Sequence, residues 1–211
     1  AFADDLSLIH RIDVARHPYP YLAGFSGDTL LVFSPETRDI IKVHSGSIVS
    51  GVEMPDEGPK EGALQYATVS GERLYYKVLA QNFAGLIVEM DLKGNILRRL
   101  DLPLPYWRHA GMLRSWGDSL IGLSGFRPVI DIVSDSAGVD SLALYGFDSP
   151  MLARSRPFVT GETSSPPLLT ASAAAAGDFL FVINMRPGWL RVDVYSRDGR
   201  LQHILTQPLP E

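Results

Sequence analysis

One turn, written four times, limits what this chain can fold into. "FSGDTLLVF" (25–33), "VSGERLYYK" (69–77), "SWGDSLIGL" (115–123) and "AAGDFLFVI" (175–183) each run Gly, acid, one residue, then an apolar stretch. Their glycines stand at 27, 71, 117 and 177, at steps of 44, 46 and 60 residues. Glycine takes a positive φ at no steric cost, so each copy predicts a hairpin turn between two strands. A period in the forties, with short strands between turns, predicts the blades of a β-propeller.

Each copy is followed by a second strand pair: "DIIKVHSGSIVSGVEM" (39–54), "GLIVEMDLKGNILRRLDLPLP" (85–105), "SLALYGFDSPMLARSRP" (141–157) and "WLRVDVYSRDGRLQHILTQPLP" (189–210). Two of these share a hairpin turned by Asp-x-x-Gly or Asp-Gly, "MDLKGNILRRL" and "YSRDGRLQHIL". Around the second, Val192, Val194 and Leu201 alternate with Arg191, Asp193 and Gln202, the period of a half-buried strand. One unit therefore reads as four strands. The first is small and apolar ("TASAAAA", "YATVS", "GMLRS"), as the crowded axis of a ring requires. Alanine favours a helix by propensity. But the alanine run ends at Gly-Asp, and matching positions in the other copies are strand-like.

The predicted fold is all-β, with about four four-stranded blades and an extra N-terminal strand. It forms a single domain over 1–211, with units at 20–62, 63–105, 106–157 and 168–207 and a loop insertion at 158–167. The longest step places extra residues in "SDSAGVDS" (134–141), a widened hairpin, and in "FVTGETSSPPLL" (158–169), a long loop. The remainder, "LSLIHRIDVARHPYPY" (6–21), reads as an outer strand without a blade of its own. Either it completes a ring of four, or the chain is part of a larger propeller. The last unit already has its own fourth strand, so the count favours a partial propeller, whose open strand edges need a partner.

The quoted stretches "YLAGFSGDTLLVFSPETRDIIKV" and "AGDFLFVINMRPGWLRVDVYSRDGRL" resemble the six-bladed β-propellers of bacterial envelopes, the NHL and TolB-like group, over roughly residues 20–207. The resemblance implies export or lipid anchoring and service as a binding scaffold, and it supplies no catalytic motif. This chain departs from it in having about four units.

Composition narrows the function classes. Net charge is −5, which argues against a nucleic-acid binder. The absence of cysteine excludes disulfides, thiolate zinc sites and a cysteine nucleophile. No run of about 18 apolar residues predicts a membrane-spanning helix, which leaves peripheral association through a partner. The opening "AFA" resembles the small-x-small end of a cleaved export signal, which points to a periplasmic or extracellular location.

No residue set spells out a reaction or a cofactor. "GLSGF" (122–126) lacks the second spacer of a Gly-x-Ser-x-Gly elbow. His10, His17, His44, His109 and His203 show no metal-ligand spacing, although His17 and His109 could meet across one face of a ring. "DSAGVD" (135–140) lacks calcium-loop spacing. Asp28, Glu72, Asp118 and Asp178 read as turn acids that bond nearby backbone N–H groups, not as a shared metal or catalytic set.

The remaining signal is one rim. In a propeller, the loops into each first strand and the loops between second and third strands share a face. Here they carry His17, Tyr19, Tyr21, Gln81, Asn82, Phe83, Tyr106, Trp107, Arg108, His109, Arg127, Asn184, Arg186 and Trp189. Tyr, Trp and Arg are the residue types that carry binding hot spots. They also plug ring ends and bond loop carbonyls. The sequence thus predicts a non-enzymatic scaffold with a protein partner, an accessory subunit of an envelope complex. The alternative is a hydrolase or lyase, or a binder of a small anionic or carbohydrate ligand, using the central funnel.

Overall fold

The computed structural model describes residues 17–209 apart from 104, 135–137, 161, 165 and 166. The expected first strand (6–14), His10 and the tip of the 134–141 hairpin lie outside the described residues. The described chain forms a four-bladed β-propeller of four antiparallel sheets. Blade 1 holds β1 (Tyr21–Ser26), β2 (Thr29–Ser34), β3 (Asp39–His44) and β4 (Ser47–Glu53). Blade 2 holds β5 (Leu64–Ser70), β6 (Arg73–Ala80), β7 (Phe83–Asp91) and β8 (Ile96–Leu102). Blade 3 holds β9 (Leu113–Trp116), β10 (Ser119–Leu123), β11 (Val129–Ser134) and β12 (Gly138–Ala143). Blade 4 holds β13 (Thr170–Ala176), β14 (Phe179–Arg186), β15 (Trp189–Tyr195) and β16 (Leu201–Pro208). In every blade the strands pair in sequence order.

The repeated turn does what its glycine requires. Gly27, Gly71, Gly117 and Gly177 have φ of +54°, +57°, +58° and +55°. In each case two residues join two strands, and the glycine comes first. A positive φ at the first loop position is the type II′ pattern, which matches the twist of paired strands. All four turn acids are exposed, and Asp178 Oδ1 lies 3.6 Å from Arg197 Nε. The hairpin at Asp91 is closed by its own carboxylate: Oδ1 accepts from the N–H of Lys93 at 2.8 Å and of Asn95 at 2.9 Å. The alanine-rich run is the inner strand β13, as its position in the repeat predicts.

Two neighbouring blades bury one core between them, because each strand sends alternate side chains to opposite faces. In blade 2, Leu74, Tyr76 and Val78 of β6 face blade 1, where they meet Leu31 and Phe33. Tyr75 and Leu79 of the same strand face blade 3, where they meet Leu113 and Leu120. Ile121 and Leu123 of β10 then face blade 4 and meet Leu180 and Val182. Burying a side chain of this size contributes about 1.5–3 kcal/mol. The inner strands pack in series, β1 on β5, β5 on β9 and β9 on β13. Among the described residues, no core cluster joins blade 4 to blade 1.

The segment 141–157 departs from the sequence reading. The outer hairpin of blade 3 lies upstream, in β11 and β12, and Leu152–Val159 form helix α1. The register of the hairpin is set by Ile130 and Ile132, which pair with Leu142 and Asp140. With β12 closed at Ala143, the following chain is free to coil. The α1 helix carries Pro157 and is fixed by packing: Phe158 lies edge-on to Trp107, with ring centroids 5.2 Å apart.

Candidate functional site

The loop end of the propeller holds the predicted rim residues, but in separate groups at the blade junctions. At the loop end of blade 1, His17 Nδ1 lies 3.2 Å from the Asp39 carboxylate at the head of β3. Tyr21 packs edge-on to Phe33 at 5.4 Å, and its hydroxyl accepts from the Ala67 N–H at 2.6 Å. Burial pushes the Tyr21 phenol well above its ordinary range. Tyr19 stands out at 79% exposure. Gln81 and Asn82 form the exposed β6–β7 turn, while Phe83 packs onto the blade 1–blade 2 core.

At the junction of blades 2 and 3, residues Tyr106–His109 form a short 3₁₀ turn. Tyr106 packs on the core below it. Arg108 is exposed, with its guanidinium 5.9 Å from the Trp107 ring. Arg127 Nη2 donates to the Arg108 carbonyl at 3.2 Å. Phe158 also meets Phe126 at 6.0 Å, so α1, the 3₁₀ turn and the β10–β11 loop share one aromatic contact.

Beneath that turn lies a buried polar group. His109 is 6% exposed, and its Nδ1 lies 2.7 Å from Asp131 Oδ2 on β11. The Lys77 ammonium, on β6, donates to the His109 carbonyl at 2.7 Å and sits 4.9 Å from the Tyr66 ring. Gly122 of β10 makes room: a Cβ there would meet Lys77 Nζ at 3.6 Å and Asp131 Oδ2 at 3.7 Å. Burial lowers the Lys77 pKa from its usual value to about 7, with the Asp131 charge opposing the shift. His109 Nε2 is buried without a hydrogen-bond partner among the described residues. Burial also holds the Tyr66 phenol up at about 12.

At the junction of blades 3 and 4, Asn184 Nδ2 donates to Asp193 Oδ2 at 2.6 Å and to the Asp148 carbonyl at 2.9 Å. Arg191 Nε donates to Asp193 Oδ1 at 2.5 Å. Arg186 Nη2 reaches the Asp148 carboxylate at 2.6 Å. Trp189, the cross-strand partner of Arg186, is 48% exposed.

The structure therefore unites Trp107, Arg108, His109 and Arg127, and separately Asn184 with Arg186. His17 and His109 are engaged apart, each by the Asp of a different blade. Lys77, Asp131, Asp193 and α1 are what the sequence reading missed. A signal existed for three of them. Lys77 and Asp131 are lone charges in the apolar runs "LYYKV" and "VIDIV", and Asp193 stands two residues from Arg191 in "RVDVY". A charge at such a place is nearly always paired.

A cleft of about 410 Å³ opens on the outer part of blade 2, lined by Arg73, Tyr75, Glu89, Leu97 and Arg98. Both of its arginines reach the same carboxylate: Arg98 Nη2 lies 2.9 Å and Arg73 Nε 3.8 Å from Glu89.

No protein-family model matches the chain, and no curated protein matches it. Solved structures do. A candidate 6-phosphogluconolactonase from Bacteroides fragilis superposes with a TM-score of 0.56 at 12% identity, over 99% of this chain and 63% of its own. Virginiamycin B lyase from Staphylococcus aureus superposes at 0.51 and 14% identity, over 89% of this chain and 55% of its own. Glutaminyl cyclase from Myxococcus xanthus superposes at 0.51 and 10% identity, over 88% and 75%. The chain spans a little over half of the lyase and less than two thirds of the lactonase-like protein. At these identities the likeness is one of fold: the chain shares its β-propeller architecture with proteins that include enzymes.

Proposed function

We propose that this chain is a non-enzymatic binding scaffold, an accessory propeller subunit that meets a protein partner in a bacterial envelope complex. One observation carries the reading. More of the large exposed apolar side chains lie on the two end blades, with Leu22, Phe25, Ile48 and Val49 on blade 1 and Phe179, Met185, Leu190, Ile204 and Leu205 on blade 4, than on blade 2, which shows Leu64, Ile96 and Leu97. Blade 3, between packed neighbours, contributes only Tyr145, at its margin, among the described residues. Contiguous exposed apolar surface favours a protein contact because covering it releases ordered water. The rim residues best suited to hot spots support this indirectly. Tyr21, Trp107, Arg127 and Arg186 already spend their polar and aromatic surface on contacts within the fold.

The test is hydrogen exchange and chemical cross-linking on the complex isolated from its source cells, compared with the purified chain. The reading expects new protection and cross-links on blades 1 and 4, in an envelope fraction. Protection confined to the 3₁₀ turn and the β10–β11 loop would overturn it. So would turnover of a substrate by the purified chain that is lost on His109→Gln.

A further inference from the structure

Each inner strand contributes one polar side chain to a single neighbourhood: Tyr21 from β1, Tyr66 from β5, Arg114 from β9 and Ser172 from β13. The links between them cross from blade to blade. The Arg114 guanidinium reaches blade 4, where Nε donates to the Ala173 carbonyl at 2.8 Å and Nη2 lies 3.5 Å from Ser172 Oγ. The Tyr21 hydroxyl reaches blade 2, where it accepts from the Ala67 N–H. Arg114 and Tyr21 act on each other electrostatically, and so do Tyr21 and Tyr66. All four side chains are half-buried, which keeps them within reach of a solute.

Arg114 is only partly satisfied by these contacts. A guanidinium carries five N–H donors. Two are well used, Nε on the Ala173 carbonyl and Nη1 on the Leu113 carbonyl, both at 2.8 Å. Nη2 meets the Met112 thioether at 3.0 Å, a weak acceptor, and the Ser172 hydroxyl at the outer limit of a hydrogen bond. The Ser172 hydroxyl itself turns to the same sulfur, at 3.4 Å. Every one of these partners is neutral, and burial acts against the Arg114 charge. At the next junction, by contrast, Arg186 and Arg191 each reach a carboxylate.

The two phenols add donors. Burial holds Tyr66 up at about 12 and pushes Tyr21 above its ordinary range, so both carry their protons at neutral pH. The Tyr21 oxygen accepts from Ala67, which leaves its own proton to donate. One fixed positive charge among neutral donors suits a monoanion. A phosphate dianion calls for a second cation, and Lys77, 4.9 Å from the Tyr66 ring, is engaged by the His109 carbonyl and balanced by Asp131.

We propose that Arg114, with the hydroxyls of Tyr21, Tyr66 and Ser172, binds the carboxylate of a small organic acid among the inner strands. Nη1 keeps one N–H and Nη2 is weakly engaged, so two donors of the planar guanidinium remain for two carboxylate oxygens. The hydroxyls donate to the lone pairs left over. The inference goes beyond the scaffold reading and does not depend on it, since it needs no protein partner.

The experiment is NMR of the purified 211-residue chain, titrated with sodium acetate and separately with inorganic phosphate, each against sodium chloride at matched ionic strength. The Arg114 Nε–H signal is assigned by its loss in Arg114→Gln. Acetate is expected to move that signal and the Tyr66 ring signals along one saturable curve. Arg114→Gln is expected to abolish the response of the Tyr66 ring. Tyr66→Phe keeps the ring and removes one donor, and is expected to weaken acetate about tenfold, the worth of one hydrogen bond to a charged group. Circular dichroism and melting curves show that each variant is folded, and if Arg114→Gln does not fold, Tyr66→Phe decides. An acetate response no larger than that of chloride overturns the proposal. So does a saturable response that persists in folded Arg114→Gln, or an affinity unchanged in Tyr66→Phe. Tighter binding of phosphate than of acetate overturns the carboxylate assignment.

Discussion

His109 Nδ1 lies 2.7 Å from Asp131 Oδ2, with both side chains buried between blades 2 and 3. The two residues sit in different elements, a 3₁₀ turn before β9 and the middle of β11, so their bond fixes the entry of the chain into blade 3. The ring N–H donates to the carboxylate, and Lys77 adds its ammonium to the His109 carbonyl. Removing Asp131 takes the acceptor from the buried His109 ring and the charge that opposes the burial of the Lys77 ammonium. Asp131→Ala is expected to cost about 3–5 kcal/mol, the usual loss when one partner of a buried pair is deleted. Urea unfolding followed by tryptophan fluorescence measures it, and a loss under 1 kcal/mol would show that the group is not a structural clamp.

Lys77 should write its own signature into the pH dependence of stability. Its folded pKa, about 7, lies below its unfolded value near 10.5. Between these values the unfolded chain binds the extra proton, so this group makes stability rise with pH, by at most about 1.4 kcal/mol per unit. The burial cost is fully present below pH 7 and is relieved as pH climbs toward 10.5. Lys77→Met lacks the group. The difference in unfolding free energy, wild type minus variant, is therefore expected to rise across pH 7–10. A flat difference would mean that Lys77 stays charged in the folded state.

Asp193 is fully buried and binds both Asn184 and Arg191. Asp193→Ala leaves the Arg191 guanidinium, itself 6% exposed, with only the exposed Asp148 carboxylate at 3.6 Å, and is expected to destabilise the protein by about 3 kcal/mol. Asp193→Asn keeps the volume and one acceptor, so its loss should be smaller. Thermal melts of the two variants side by side give the comparison. Equal losses would show that charge, and not the acceptor geometry, holds the junction.

Gly199 turns the last hairpin with φ of +76°. A Cβ there would collide with the Ala143 carbonyl oxygen at the end of β12. Gly199→Ala therefore combines backbone strain with a clash, and a loss above about 1 kcal/mol is expected. Gly177→Ala, whose Cβ would meet nothing within 4 Å, carries the strain alone and should cost less. Melting temperatures of the two variants test the order.

Helix α1 is held by Phe158 against Trp107 and Phe126. Phe158→Ala is expected to raise amide exchange over 152–159 by tenfold or more, while β9–β12 keep their protection. Unchanged exchange in the helix would place its anchor elsewhere.

The sequence by itself determined the blades. A glycine at the first position of a two-residue loop and a period-two strand are local features, read within ten residues, and they located the second strand of all four units and the inner strand of three. The sequence reading misplaced the outer hairpin of blade 3 and did not foresee α1. That stretch has no glycine–acid turn, and the packing of Phe158 with Trp107, 51 residues away in the chain, decides its shape. Tertiary structure alone decided which charges meet. Lys77, His109 and Asp131 are separated by 32 and 22 residues, and only the stacking of blade 2 on blade 3 brings them within bonding distance. Stacking likewise turned most of the predicted rim inward. An arginine or tyrosine at a blade junction finds a carbonyl or carboxylate of the next blade, and burial rewards that internal bond, whereas the same residue type read from sequence looks equally ready for a partner.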